Sequence, residues 1–167
     1  DNNIAELCRS IRVHGEGIDK YDNVRVGLNS RLDTLQANVL LNKLDIFNDE
    51  LISRNEIADY YSDKLSKYLV TPFIENGNIS AWAQYSLLLK NESERDFLVK
   101  YLKEKEIPSA IYYKKIFSEL DIYKNIIDNT FPVSKKISQT VFSIPMHPYL
   151  TYDELETITD TVINFFK

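Results

Sequence analysis

Cysteine, histidine and glycine are all scarce in this chain of 167 residues. With Cys8 as the single cysteine, no internal disulfide can form, and a reducing compartment is expected. Cys8 falls in a helical pattern and is predicted to be a small buried residue. Two histidines and one cysteine do not supply the ligand spacings of a zinc site, so no metal site is predicted. Four glycines form no glycine-rich phosphate loop.

Long apolar runs and an excess of positive charge are also missing. No run approaches the roughly 18 residues of a membrane span, and no basic-then-apolar leader is present, so a soluble cytoplasmic protein without membrane contact is predicted. The formal net charge of -5 argues against a nucleic-acid partner. The only methionine is Met146, so Asp1 is not a natural start, and we expect the chain to be a piece of a longer protein.

Hydrophobic spacing predicts one unusually long helix that begins at Ser30 and carries Asp33 as a partial capping signal. At about 1.5 Å per residue it would run roughly 50 Å, which suits a bridge between two lobes. Its apolar stripe is predicted to pack in the core or between lobes, and consists of Leu40, Leu44, Phe47, Leu51, Ala58, Tyr61 and Leu65.

The rest of the pattern alternates strands and helices, which predicts a compact α/β sandwich from about residue 70 onward. Two regions follow from this: residues 1–70, with the long helix, and residues 71–167, a small α/β domain. The predicted helices are residues 3–13, Ser93–Glu106 and Tyr152–Phe166, with short helices broken at Pro132 between residues 115 and 140. The predicted strands are Ile79–Leu89, Ala110–Tyr113 and Val141–Ile144.

The segment Gly27–Gln36, with the sequence GLNSRLDTLQ, is a candidate anion site. Gly27 permits close backbone approach, Asn29 offers an amide, and Arg31 offers a planar cation that suits carboxylate and phosphate. All three are predicted to sit where a helix starts, and helix N-termini favour anions. An ordinary capped helix start is the alternative interpretation.

Two further segments, one in a predicted loop and one at the end of a predicted strand, carry candidate ligand contacts. His147 and Tyr149 flank a rigidifying proline in the sequence SIPMHPYL, just before the last predicted helix, and are candidates for contacts to a ligand. Tyr113 ends a predicted strand and is a third candidate. The alternative for each is a structural residue with no ligand.

These segments resemble the C-terminal half of the DegT/DnrJ/EryC1/StrS family of sugar aminotransferases, which use pyridoxal phosphate (PLP). A family His-Gly turn matches His14-Gly15, and a Met-His-Pro-Tyr phrase matches Met146–Tyr149. The family phrase Gly-x-Asn-x-Arg-x-Asp, followed by Leu-Gln-Ala, reads here as Gly27, Asn29, Arg31, Asp33, Leu35, Gln36 and Ala37. The resemblance implies an α/β fold, the C-terminal part of a fold-type I PLP-dependent transferase, with a long interlobe helix and a small α/β sandwich domain.

The resemblance also implies roles for single residues. Asn29 would cross the interface of a homodimer to bind the PLP phosphate of the partner subunit, and Arg31 would lie near the bound sugar. His147 and Tyr149 would face the mouth of the active site. Tyr113 aligns with a tyrosine beside a site-lining loop, but here Lys114-Lys115 replaces the usual proline, so no role is carried over to residues 114–120.

The lysine that carries the cofactor lies upstream in this family. No catalytic residue is therefore assigned in this chain, PLP is expected to be bound mainly by the missing N-terminal part, and the chain alone is predicted to be inactive.

The motifs are most similar to those of enzymes that move an amino group from glutamate to a UDP-linked 3-keto-N-acetylhexosaminuronic acid. Arg31 would be a natural partner for the uronate carboxylate. Two alternatives stay open. One is a sister enzyme, either a C4 sugar aminotransferase or a sugar dehydratase with histidine in place of the lysine. The other is a non-enzymatic dimerisation or regulatory module.

Overall fold

The computed structural model describes residues 1–19, 21–123 and 130–167. Its helices are α1 (Asn2–Arg12), α2 (Thr34–Leu65), α3 (Glu92–Glu104), α4 (Pro132–Thr140) and α5 (Tyr152–Phe165). Its strands are β1 (Tyr85–Leu88) and β2 (Val141–Ile144), and a 3-10 turn spans Phe117–Glu119. The chain divides into two compact units, which we call unit 1 (Asp1–Phe47) and unit 2 (Asn48–Lys167). The predicted boundary near residue 70 concerns the domains of the longer protein and stays a prediction.

Unit 1 is organised by two backbone segments that lie directly against each other. A Cβ atom added at Gly27 would stand 2.0 Å from the backbone nitrogen of Gly15, so only glycine fits at this crossing. The close approach predicted for Gly27 is therefore an approach to the chain itself. Backbone hydrogen bonds fasten the pair: His14 N–H to Leu28 O (2.9 Å), Leu28 N–H to Ile11 O (2.7 Å) and Ser30 N–H to Arg12 O (2.9 Å).

Hydrophobic burial contributes little to unit 1. Among its described residues no hydrophobic side chain is buried. Cys8, predicted to be buried, is exposed, because α1 has no buried face within this chain. Leu44 of the predicted stripe is 65% exposed, and Leu40 and Phe47 are also exposed, so the core prediction is wrong for these three. Packing between the lobes of a longer protein stays a prediction.

Helix α2 begins at Thr34 rather than at Ser30. The carboxylate of Asp33 accepts a hydrogen bond from the Gln36 N–H at 2.8 Å, which caps the first turn and fixes the start of the helix. Gly27, Asn29 and Arg31 consequently lie in a non-helical segment before the helix. The prediction that they sit at a helix start is wrong.

Unit 2 is built around an antiparallel pair of strands. β1 pairs with β2 in the register Tyr85↔Ile144 to Leu88↔Val141. Helices α2, α3 and α5 cover the pair with buried side chains, and full burial of a leucine, isoleucine or valine among them stabilises the fold by about 1.5–3 kcal/mol. These side chains include Ile57, Ala58, Tyr61, Leu65, Leu98, Leu102, Leu155, Ile158 and Val162. The second half of the predicted stripe thus does join the core.

A buried arginine joins α3 to the end of α4. The Arg95 side chain is 2% exposed, and its Nη1 donates to the carbonyls of Ser138 (3.3 Å) and Val141 (3.4 Å). Its other nitrogens pair with Glu92 (3.2 Å) and Asp96 (2.6 Å). A buried guanidinium needs acceptors and a counter-charge, because an unpaired buried charge is costly. Arg95 therefore fixes the point where β2 enters the core.

The predicted helices at residues 3–13, Ser93–Glu106 and Tyr152–Phe166 and the predicted strand Val141–Ile144 are confirmed with small changes in their ends. Two strand predictions are wrong in extent: Ile79–Leu89 shrinks to β1, and of Ala110–Tyr113 only Ala110 pairs, with Ser143. Pro132 starts α4 instead of breaking a helix, because proline is well tolerated at a first helical position. The predicted short helices extend over residues 124–129, which lie outside the described residues.

None of the helices described here is both long enough and apolar enough to cross a membrane.

Candidate functional site

The first group of candidate residues lies in unit 1, where Asn29 and Arg31 are neighbours. The backbone of Asn29 forms a bridge to Val13, and the Arg31 Nε–H donates to the Asn29 Oδ1 at 3.3 Å. Both side chains are exposed. Because Oδ1 is already an acceptor, the amide NH₂ of Asn29 is the group left to donate. An amide NH₂ beside a guanidinium is a donor set that fits a phosphate or a carboxylate.

The second group is the loop Pro145–Leu150, which joins β2 to α5. The hydroxyl of Tyr61 on α2 donates to the carbonyl of Pro145 at 2.9 Å. Burial raises the pKa of Tyr61, so this phenol stays protonated and keeps its donor role. At the other end of the loop the Tyr149 hydroxyl donates to Glu50, also on α2. The loop is thus attached to one helix near both of its ends.

Within this loop, His147 and Tyr149 contact each other. The Tyr149 backbone N–H donates to Nδ1 of His147 at 3.3 Å, and both side chains are exposed. The structure therefore brings together these two predicted residues, as it does Asn29 and Arg31.

The start of α5 fixes where this loop ends. The Thr151 hydroxyl accepts from the Glu154 N–H at 3.3 Å, and a Glu154 carboxylate oxygen accepts from the Thr151 N–H at 2.7 Å. These hydrogen bonds from Thr151 lower the pKa of Glu154 below its ordinary value.

Tyr113 lies apart from the His147 pair, although its neighbour connects the two regions. Tyr113 is 74% exposed, in a turn rather than in the predicted strand. Tyr112 lines a cleft of about 250 Å³ together with Ser143 and Met146, because Ala110 is hydrogen-bonded to Ser143 on the edge of β2. The candidate segments around Tyr113 and His147 therefore border the same cleft in unit 2.

A larger cavity of about 1120 Å³ opens on the other side of Tyr112 and Tyr113. Lys114 and Lys115 line it beside apolar side chains such as Phe117 and Phe131. The 3-10 turn Phe117–Glu119 borders this cavity and is connected to α4 by an ion pair between Glu119 and Lys135. The hydrogen bond from Lys135 lowers the pKa of Glu119. Lys114 and Lys115 thus place positive charge in a cavity that is lined largely by apolar side chains.

Glu50 is the contact residue that sequence reasoning missed. No local sequence pattern marks it, because its partner Tyr149 lies 99 residues away in sequence. Among the described residues, no group of three or more His, Cys, Asp and Glu side chains could hold a metal ion.

The comparisons with known proteins agree on one family. A model of the DegT/DnrJ/EryC1/StrS aminotransferase family matches residues 1–163. The UDP-2-acetamido-2-deoxy-3-oxo-D-glucuronate aminotransferase of Pseudomonas aeruginosa is 38% identical over 98% of this chain, which spans 45% of that protein. The dTDP-3-amino-3,6-dideoxy-alpha-D-galactopyranose transaminase of Aneurinibacillus thermoaerophilus is 31% identical over 97% of this chain, or 44% of its own length.

A solved structure shows the same likeness in three dimensions. The crystal structure of a DegT DnrJ EryC1 StrS aminotransferase from Brucella abortus matches 99% of this chain with a TM-score of 0.92 and 42% identity. The match covers 44% of that chain. The likeness confirms the predicted α/β class as part of an aminotransferase fold. The chain spans about half the length of the proteins it matches.

Proposed function

The chain belongs to the DegT/DnrJ/EryC1/StrS aminotransferase family, and from this premise we propose that the complete protein is a PLP-dependent sugar aminotransferase. It would move an amino group from glutamate to a nucleotide-linked ketosugar, for surface polysaccharide or amino-sugar biosynthesis. The proposed substrate is a UDP-3-keto-N-acetylhexosaminuronic acid. The observation that carries this choice is the 38% identity to the Pseudomonas aeruginosa enzyme over 98% of this chain.

The proposed cofactor contact of this chain is the Asn29 amide. When bound, PLP supplies the electron sink that makes amino-group transfer possible. Asn29 would donate to its phosphate across the interface of a homodimer, and the exposed amide NH₂ beside Arg31 supports this assignment. The lysine that carries the cofactor is assigned to the rest of the protein. Every lysine in the described part is exposed or only partly buried, and the chain alone is expected to be inactive.

Four exposed residues are proposed to contact the nucleotide-linked sugar. Arg31 would pair with the uronate carboxylate, because a guanidinium matches a carboxylate in shape and charge. His147 and Tyr149 would hydrogen-bond oxygens of the sugar or the nucleotide, and the contacts of their loop to α2, made by Pro145 and Tyr149, support a fixed loop position. Tyr113, exposed beside the cavity that Lys114 and Lys115 line, would contact the nucleotide-linked substrate.

The test uses the complete protein, purified with added PLP and incubated with glutamate and the UDP-linked 3-ketosugar acid. Formation of 2-oxoglutarate together with the 3-amino sugar supports the proposal. Amination of a 4-ketosugar instead would favour the C4 aminotransferase, and loss of water without amino transfer would favour the dehydratase. A protein that stays colourless with excess PLP would favour the non-enzymatic module.

Replacement of Asn29 tests the cofactor contact. Asn29→Ala in the complete protein should weaken PLP retention roughly tenfold, because a hydrogen bond to a charged phosphate is lost. Retention is measured as the PLP left after dialysis, against Asn42→Ala as the control. Asn42 is also exposed, and its amide donates to the Asn38 carbonyl one turn earlier on α2. Equal retention in the two variants would refute the role of Asn29.

A further inference from the structure

Glu50 contacts the His147 loop although it belongs to a distant part of the chain. Its Oε1 accepts the hydrogen bond of the Tyr149 hydroxyl, and both residues lie in unit 2. Glu50 is partly buried, whereas Tyr149 is 64% exposed. The ring of Tyr149 has little packing to hold it, so the hydrogen bond to α2 is what restricts its orientation.

The same face of α2 holds the other end of the loop. Glu50 and Tyr61 are eleven residues apart, which is about three helical turns, so both project from one side of the helix. Tyr61 is fully buried and donates to the Pro145 carbonyl at 2.9 Å. One end of the loop is therefore fixed by a buried contact, and the other end depends on the more exposed carboxylate of Glu50.

The position of Tyr149 determines what His147 offers to a ligand. The Tyr149 backbone N–H donates to Nδ1 of His147 at 3.3 Å. A neutral imidazole carries one N–H, so when Nδ1 accepts, the proton is on Nε2. Neutral His147 is thus held as a hydrogen-bond donor at Nε2, the atom that can meet an acceptor oxygen. Loss of the Tyr149 orientation would remove this constraint.

We propose that Glu50 is a positioning residue for substrate binding, acting through Tyr149 on His147. Glu50 does not touch the substrate; it holds the loop so that the Nε2–H of His147 points to a hydroxyl or carbonyl oxygen of the sugar. This inference rests on the proposed function, because the sugar oxygens are the acceptors that Nε2–H would meet. A positioning residue of this kind alters how well substrate binds more than how fast it reacts.

The experiment is steady-state kinetics of the complete protein with the UDP-linked ketosugar. Glu50→Ala should raise KM for the ketosugar about tenfold and change kcat by less than about twofold. Glu50→Gln keeps a carbonyl oxygen that accepts from Tyr149, so its KM should rise by only about threefold. Glu56→Gln is the matched control, since Glu56 is exposed on the same helix, and it should change neither constant.

A double variant separates positioning from a general loss of structure. Tyr149→Phe should raise KM at least as much as Glu50→Ala, and the combination should equal Tyr149→Phe alone, because the two residues act through one hydrogen bond. Additive effects, or a Glu50→Ala protein with wild-type KM, would overturn the inference while leaving the proposed function intact. A wild-type protein that does not aminate the ketosugar would overturn both. If Glu50→Ala does not fold, the KM of Glu50→Gln decides: a rise of about threefold supports the inference, and an unchanged KM overturns it.

Discussion

Unit 2 surrounds its strand pair with fully buried side chains such as Leu98 and Val162, whereas unit 1 buries no hydrophobic side chain among its described residues. The share of apolar residues is similar in the two units, but those of unit 1 are exposed or only partly buried, as Leu41 at 62% exposure illustrates. The two units therefore depend on different interactions. Unit 2 is stabilised by burial, and unit 1 by backbone hydrogen bonds and close glycine packing.

This difference bears on where the family motif lies. Asn29 and Arg31 stand on the segment that crosses Gly15, outside any hydrophobic core. His147 and Tyr149, in contrast, stand on a loop that begins directly from the core strand β2. Side chains that a core supports keep their geometry at low cost, whereas those of unit 1 rely on a few backbone contacts. The two candidate groups should consequently respond differently to mutation.

The largest expected effect is a test of the core of unit 2. Leu98→Ala removes a side chain with no exposed area and should lower the free energy of unfolding by about 3 kcal/mol. Urea unfolding followed by fluorescence measures it well, because the single tryptophan, Trp82, is itself in this core.

Leu41→Ala is the matched control in unit 1. Leu41 is 62% exposed, so the Trp82 transition should change by less than about 0.5 kcal/mol. Similar losses for the two variants would mean that both leucines stabilise one cooperative core, and the comparison of the units would fail.

Much of unit 2 could be predicted from the sequence because its elements are periodic and have local end signals. Helix α5 starts at a Thr151–Glu154 capping box, and α3 starts at Asn91, whose side chain accepts from the Glu94 N–H. The prediction of a strand at Ala110–Tyr113 failed because a strand needs a pairing partner elsewhere in the chain. Of these four residues only Ala110 pairs with β2. Hydrophobic periodicity can be recognised in a short stretch of sequence, whereas strand pairing depends on residues that are distant in sequence.

The residues of the candidate site could be predicted from the sequence, but the contacts that hold them could not. The proximity of Asn29 to Arg31 and of His147 to Tyr149 follows from their short spacing. The contacts of the loop with Glu50 and Tyr61 join residues that are 99 and 84 positions apart, so no short sequence window indicates them. Gly27 was assigned to an anion, whereas its missing side chain makes room for Gly15. A sequence shows that a glycine is needed, but not which backbone approaches it.

A smaller effect is expected in unit 1, from Gly27→Ala. The added Cβ would lie 2.0 Å from Gly15 N and 2.3 Å from His14 C, so the two backbone segments must separate. The hydrogen bonds of His14 and Leu28 should then be lost, at a cost of about 2 kcal/mol. Amide hydrogen exchange at these two residues measures the change, and the Trp82 transition of unit 2 should not move.

Gly17→Ala is the control for this variant. Its Cβ would lie 2.9 Å from a side-chain atom of Val24 and 3.3 Å from the Asp22 carbonyl oxygen, which is a milder overlap than the two backbone contacts of 2.0 and 2.3 Å at Gly27. Exchange at His14 and Leu28 should therefore stay slow. If Gly17→Ala and Gly27→Ala accelerate exchange equally, unit 1 does not depend on the glycine crossing.

The smallest expected effect tests whether the surface of unit 2 belongs to the same cooperative unit as its core. Hydrogen bonds from Thr151 lower the pKa of Glu154 below its ordinary value of 4.5 in the folded state. A carboxyl whose pKa is lower in the folded state than in the unfolded state stabilises the folded protein. This contribution is fully present above the pKa of the unfolded state, and it is lost as the pH falls through the pKa of the folded state. Glu154→Gln should lower the urea midpoint slightly near neutral pH. The midpoint of this variant should also fall less than that of the wild type between about pH 5 and pH 3.

Because α5 packs on the core through Leu155 and Val162, the Trp82 signal should report this change in a single transition. A separate loss of helicity at a lower urea concentration than the Trp82 transition would show that α5 unfolds alone. Unit 2 would then not be a single cooperative unit, and its contrast with unit 1, which backbone contacts stabilise, would fail.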